Sequence, residues 1–369
     1  MSGLSSRLKS KEFWTAVSPL VGLVIPLCTV VLLGAAFASH DIQRLLITSM
    51  FNIIFVVGFY VFAGNSGILS FGHIGFAAIG GYVVGLLTVP VAMKAVLLPN
   101  LPHVIADVRM ATIPAMIIGL VAVAVFAAIV GYPIVRLKGV APAIAFLAML
   151  EVIHQVISNW RSVTGGESAF VGMPIDSTLM AVMWWTVIVI VVAYLYQISR
   201  SGRRVRGSRE DYEAARSVGV RVTLERYKAL ILSAAIMGLG GGLYGHYLGS
   251  LAPTILYLSL GFLGIEMLIV GGFNSLSGAV TGAVVISVVS DLLRRGGDAA
   301  FSGGVPGLQE VVLAVLVVVV LVRMPRGLTG GREANLLALS RLWRRPRRST
   351  TTEATQQADV NDGRKSTPL

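Results

Sequence analysis

Four polar residues stand close together in an otherwise oily chain: Asn65, Ser66, Ser70 and His73, inside GNSGILSFGHIGFAAIGG (residues 64–81), which also holds six glycines. Each glycine lowers helix propensity by ~1 kcal/mol relative to alanine. In hydrocarbon, irregular backbone is tolerated only where it packs in protein or lines a wet cavity. The run therefore reads as a break over residues 64–72, with a helix restarting near His73. The free N–H groups of such a start suit anionic groups of a passing solute. Close helix packing through small residues is the competing reading. A second run, GGFNSLSGAVTGAVV (271–285), repeats the order: glycine, then Asn274-Ser275, then a small-residue face. Paired glycine-interrupted segments in two halves of a chain point to a transport pathway, with chance likeness of two glycine-rich segments as the alternative.

Ionisable groups at membrane depth are few: Glu151, His154 and Glu266, with His73 and Glu310 near span ends. Buried charge is expensive and usually faces an interior or a cavity. Glu266 suits either a pathway or a bond to a neighbouring helix, while Glu151 and His154 are expected to pack. They are too sparse for a proton relay. No G-x-x-x-x-G-K-[ST] is present, so this chain has no P-loop for ATP, and neither a zinc-protease motif nor a nucleophile elbow occurs. Gly240, Gly242 and Gly245 fit G-x-G-x-x-G, but no strand precedes them. The single cysteine, Cys28, excludes an internal disulfide and a Cys/His metal cluster. An enzyme is not indicated, and no metal or other cofactor is expected.

The elements that carry these residues follow from composition. Of 369 residues, 55% are hydrophobic and 13% charged, against roughly 25% charged in soluble domains. The fold class is all-α, a polytopic membrane protein. Windows of about 20 apolar residues place about ten spans, at 16–38, 45–63, 74–93, 111–135, 140–159, 179–198, 229–249, 255–273, 276–293 and 308–323. The net charge of +12 could suggest nucleic acid, but the bases follow the spans. With the N-terminus inside, 24 of the 30 Lys and Arg fall on the cytoplasmic side and six outside, as the positive-inside rule requires. No nucleic-acid partner is expected, and both termini are read as cytoplasmic. The apolar run from Ala16 exceeds the ~7–15 residues of a signal-peptide core, so it reads as an uncleaved span.

Residues 1–332 form the membrane domain. Residues 199–228 are a charged cytoplasmic loop, and 333–369 a tail that is basic at RLWRRPRR (341–348) and then polar, of a composition expected to be disordered. Two outer segments, 94–110 and 160–178, are longer than tight turns. Gly238/Gly242 and Gly241/Gly245/Gly249, spaced by four, predict a packing seam. Within the loop, EAARSVG (213–219) predicts a short helix, with Glu213 near its N-terminal end and Gly219 supplying the positive φ that stops it. Such a helix suits docking into a partner's groove.

Glu213-Ala214-Ala215-x-x-x-Gly219 resembles the EAA loop by which ABC importer permeases dock on their ATPase. The neighbouring runs sharpen the likeness: GNSGILSFGHIGFAAIGGY, NWRSVTGGESAFVGMP, the loop itself with the span after it, GIEMLIVGGFNSLSGAVTGA and RMPRGLTG, in order over roughly residues 45–330. Together they are similar to the LivM type of branched-chain amino acid ABC permease. The resemblance implies a second permease subunit, ATPase subunits that bind the ATP, an extracytoplasmic substrate-binding protein and a bacterial inner membrane. It implies coupling through Glu213, Ala214, Ala215 and Gly219. Asn65, Ser66, His73, Glu266, Asn274 and Ser275 would lie near the translocation path. Thr164, Gly165 and Gly166 would meet the binding protein. GGESAFVGMP is longer than the family's usual continuation, GRRVRGSRED has Gly-Ser where an Ala-Ile-like pair is commoner, and the polar tail is an extension. The first departure leaves the substrate open: urea and short-amide importers use similar permeases. A secondary transporter is the rival of a different class, against which the EAA loop argues.

Overall fold

The computed structural model describes residues 2–300, 307–331 and 333, with side chains for 17–296, 307, 309–331 and 333. The expected disordered tail, Glu333 apart, lies outside the described residues. In chain order the helices are α1 (Ser2–Phe37), α2 (His40–Phe59) running into a π-helical turn (Tyr60–Gly64), α3 (Ile74–Thr88), α4 (Val91–Leu97) and α5 (His103–Ala106). Then come α6 (Thr112–Val135), α7 (Ala141–Asn159), α8 (Arg161–Thr164), α9 (Leu179–Ile198), α10 (Arg200–Glu210) and α11 (Tyr212–Ser217). The last four are α12 (Val222–Leu248), α13 (Leu258–Gly271), α14 (Leu276–Ala300) and α15 (Leu308–Arg323). Among the described residues a single β-ladder pairs β1 (Phe170–Val171) with β2 (Ser250–Leu251), antiparallel.

Rows of small and bulky residues decide which way each apolar helix faces. On α6, Ala115, Gly119, Val123, Ala127 and Gly131 recur every four residues and are buried, while Ile113, Ile117, Val121, Val125 and Ile129 form an exposed row. Hydrocarbon does not discriminate between leucine and lipid, so the side that lets backbones approach becomes the protein side. α2 and α12 are buried along most of their length, while well under half of α6, α7 and α9 is buried. α12 packs on α3, α6 and α2, and α13 packs on α14. The predicted α12 seam is real. A Cβ at Gly241 would collide with the Ala77 carbonyl of α3, and one at Gly80 with the Gly238 carbonyl of α12.

The span count is lower than the sequence suggested. Seven helices among the described residues are long and apolar enough to cross a membrane, or eight if α3 and α4 form one span bent by 117°. Pro90 causes the bend: its ring lacks an N–H and disfavours helix at Val89. The proposed span 255–273 is α13, whose 14 residues rise only about 21 Å, short of a ~30 Å hydrocarbon layer. α15 has 16 residues and is short for the same reason. The outer segment 94–110 is folded as well. Lys94, 1% exposed, donates to the carbonyls of Ile105 (3.1 Å) and Val108 (2.5 Å) and closes α4 onto α5.

Candidate functional site

Asp211 accepts the Ala214 N–H at 2.9 Å, the side-chain cap that starts a helix. α11 follows and stops at Gly219, with φ of +84°. No residue of α11 is buried. Glu213 and Ala214 are exposed, and among the described residues Glu213 pairs only with Arg216, at 3.8 Å. A Cβ on Gly219 would have nothing within 4 Å. Glu213, Ala214, Ala215 and Gly219 thus belong to a short helix with no buried residue, closed by the positive φ that the sequence predicted at Gly219. What holds the helix is the Tyr212 ring, with Lys138 and Arg226 each 5.4 Å and Arg216 5.8 Å from its centroid. A cleft of about 690 Å³ opens beside it, walled by Tyr132, Arg136, Arg221 and Gly219.

α10, which the sequence left inside an undivided loop, lies between this helix and the membrane body. Its buried residues, Gly202, Val205 and Ser208, fall on one face at helical spacing, and α10 packs on α12. From its last turn Arg209 donates to the Gly64 carbonyl at 2.7 Å and to Asn274 Oδ1 at 2.5 Å. Its stem lies against Gly67, where a Cβ would come within 2.7 Å of Cγ. The two echoed runs also touch directly: a Cβ on Gly64 would stand 2.9 Å from the Phe273 carbonyl.

The breaks satisfy their own backbone. The π turn frees carbonyls, and the Asn65 amide donates to those of Tyr60 (3.2 Å) and Val61 (3.1 Å). Ser66 Oγ accepts the Ile68 N–H, and Ser275 Oγ accepts the Gly278 N–H at 3.0 Å. At the start of α14 the Glu333 carboxylate accepts from Leu276 N (2.9 Å) and Ser277 N (3.1 Å), and also from Gln197 Nε2 (2.7 Å). A carboxylate is the group a helix N-terminus favours, so here the chain fills that position itself. Thr329 and Leu328 hydrogen-bond to Gly271 and Val270 and hold the segment there.

Residues 42–321 match the family described as "Branched-chain amino acid transport system / permease component". The chain belongs to this permease family. It is similar to the high-affinity branched-chain amino acid transport system permease protein LivM of Salmonella typhimurium, 26% identical over 314 residues that span 76% of this chain and 68% of the relative. It is also similar to LivH of Escherichia coli, 24% identical over 299 residues, 75% of this chain and 90% of the relative. A shorter likeness, 26% over 125 residues, covers 34% of this chain and 37% of a nucleoside ABC transporter permease, NupC, of Lactococcus lactis. No solved structure matches it. These relatives are transport permeases rather than enzymes.

The remaining candidate residues of this permease scatter. Asn65, Ser66, Asn274 and Ser275 gather at the α10 end around Arg209. His73 does not reach them. It is fully buried in a box of Phe59, Phe62, Phe76 and Phe146, with ring centroids 5.0–5.8 Å away, and its Nδ1 is 2.5 Å from Ser70 Oγ. Glu266 stands apart on α13, half-buried and without a hydrogen bond or ion pair among the described residues. Of the two residues expected to pack, half-buried His154 stacks on the Tyr257 ring at 3.9 Å, while Glu151 is exposed and accepts the Tyr257 hydroxyl. Thr164 is buried and donates to the Ile157 and Trp160 carbonyls. Gly165 and Gly166 turn the chain so that Glu167, Ser168 and Ala169 are the exposed residues. Arg209 and Glu333 escaped the sequence reading. The first is one of nine bases in its loop, and nothing local marks it out. The second lies 57 residues from the helix end it caps.

Proposed function

We propose that this chain is the membrane-spanning permease of an ABC importer for branched-chain amino acids, coupled through α11 to ATPase subunits that bind and hydrolyse the ATP. A second permease subunit and an extracytoplasmic binding protein complete the system in a bacterial inner membrane. The observation that carries this reading is the pair formed by α11, which buries none of its residues, and the Arg209 bridge behind it. A force applied to α11 moves α10, and α10 holds both glycine breaks through one guanidinium. A carrier without an ATPase has no use for a docking helix that buries nothing.

Orientation follows from where the bases gather. Lys138, Arg209, Arg216 and Arg226 converge at the α11 end, and Arg294 and Arg295 lie with Asp291 and Asp41 at the other. The denser end is cytoplasmic, with both termini on that side. The binding protein meets the opposite end, where Thr164, Gly165 and Gly166 shape the exposed Glu167–Ala169 turn.

Uptake of labelled leucine, with urea in parallel, tests the assignment in cells lacking this chain and in complemented cells. Leucine uptake that falls and is restored supports it. Lost urea uptake with unchanged leucine uptake moves the substrate. Uptake that survives removal of the ATPase partner overturns the ABC reading.

A further inference from the structure

We propose that a cleft at the end of the molecule opposite α11 is a subsite for a zwitterionic α-amino acid with an aliphatic side chain; this rests on the permease reading above. α2 fixes its position. From His40 to Gly64, which Arg209 holds, is 25 residues, about 37 Å of helix. Asp41 and Arg44 are therefore a membrane thickness away from the coupling end. The cleft has a volume of about 470 Å³ and is walled by α2, α12, α13, α14 and α15. Along α2 it runs from the rim at Asp41 to Phe55, about 21 Å at 1.5 Å per residue. It thus reaches from the outer surface to the middle of the hydrocarbon layer, the depth at which importers and carriers hold polar solutes.

Charges of both signs stand at the rim and none at the floor. Asp291 is committed to Arg294 at 2.8 Å and Arg295 at 2.6 Å, and among the described residues Asp41 has only a 4.0 Å contact with Arg295. Arg44 is exposed and makes no hydrogen bond or ion pair among the described residues. An α-carboxylate finds its partner in Arg44, whose planar fork matches it, and the ammonium finds Asp41. One turn inward from Arg294 on α14, Ser290 keeps a buried hydroxyl with no partner among the described residues. That group is free to bond a solute as it descends. Deeper, Asn52 donates to Ser287 Oγ at 2.8 Å, an uncharged pair between two apolar helices. Leu260, Leu263 and Phe55 line the same cleft and suit an aliphatic side chain. A neutral amide such as urea has no use for the charged rim or for the apolar wall.

The test uses the complete importer, with its binding protein and ATPases, in proteoliposomes. Labelled leucine uptake is compared for wild type, Arg44→Gln, Arg44→Lys and Ser290→Val. The expected result is a fall of about tenfold or more for Arg44→Gln, the loss of one charge-assisted contact. A smaller fall is expected for Ser290→Val, and partial recovery for Arg44→Lys, with the complex recovered in full in every case. Wild-type leucine uptake matched within twofold by all three variants overturns the subsite and leaves the permease reading intact. Loss of the second permease subunit from Arg44→Gln complexes also overturns it, because the cleft is then an assembly surface. A wild-type complex that takes up urea and no amino acid removes the substrate reading and the subsite together.

Discussion

Arg209 and Asn274, 65 positions apart in the chain, are joined by a 2.5 Å hydrogen bond, while the other arm of the same guanidinium holds the Gly64 carbonyl at 2.7 Å. The Phe273 ring lies 5.6 Å from the guanidinium carbon. One side chain from α10 therefore ties together the two glycine-rich breaks. A break needs a partner that can move it. A guanidinium that bonds both breaks at once makes them shift as a unit when α10 shifts.

The first prediction concerns that bond pair. Arg209→Lys offers a point charge in place of a fork and can keep one acceptor at best. We expect Arg209→Ala to cut leucine moved per ATP hydrolysed by at least ~10-fold, since hydrogen bonds to charged groups contribute ~1.5–3 kcal/mol each, and Arg209→Lys to lie between it and wild type. Uptake and phosphate release measured together in proteoliposomes check this. An unchanged ratio for Arg209→Ala would mean that the bridge carries no motion.

Gly219 separates two effects that usually coincide. Its φ of +84° penalises side chains by ~1–2 kcal/mol, with Asn the best tolerated. Among the described residues nothing lies within 4 Å of a Cβ placed there. Gly219→Ala carries the backbone penalty with a smaller side chain and serves as the control, so a defect of Gly219→Asn beyond that of Gly219→Ala reports on a docked partner. We expect Gly219→Asn and Gly219→Asp to insert normally and to lose ATPase binding in a pull-down. Normal ATPase capture by Gly219→Asp with full uptake would remove Gly219 from the docking surface.

Glu333 caps α14 from a distance. Its carboxylate accepts two N–H groups at the helix start and one from Gln197. Removing a cap costs ~0.5–2 kcal/mol, and the charge adds up to ~1 kcal/mol at a helix N-terminus. Glu333→Ala should lower the thermal midpoint of the purified complex by several degrees, and Glu333→Asp, one methylene shorter, by less. A midpoint unchanged in Glu333→Ala would show that the cap is idle.

The helical class, the break near residues 64–73, the α12 seam and the short helix α11 were legible because each has a local cause. Glycine density ends helices, four-residue spacing makes a face, and Asp211 and Gly219 bracket α11. The span count was not, because hydropathy windows register apolar length and not geometry. Pro90 turns an apparent span by 117°, and α13 is apolar but too short. The α6 faces were in the sequence all along, in the contrast between the Gly119 and Ile117 rows. The convergence around Arg209 had no such signal. It depends on residues brought together from positions 64, 209 and 274, and spacing along the chain does not encode which of nine bases will meet the breaks.

His73 decides what the first break is for. A histidine in a pathway should be reachable by solute, but this ring is fully buried among four phenylalanines and bonded to Ser70 three residues earlier. The box therefore reads as the rivet that fixes the start of α3. Two substitutions distinguish rivet from pathway. His73→Phe keeps the ring and removes the Ser70 partner, while His73→Ala opens a cavity of the kind that costs ~3–5 kcal/mol when a large ring is deleted. We expect His73→Ala to lower the yield of assembled complex and its thermal midpoint sharply. His73→Phe should assemble, with uptake per complex within about twofold of wild type, because refilling the ring volume restores most of the packing. Uptake abolished in well-assembled His73→Phe complexes would place the imidazole in the path of the solute.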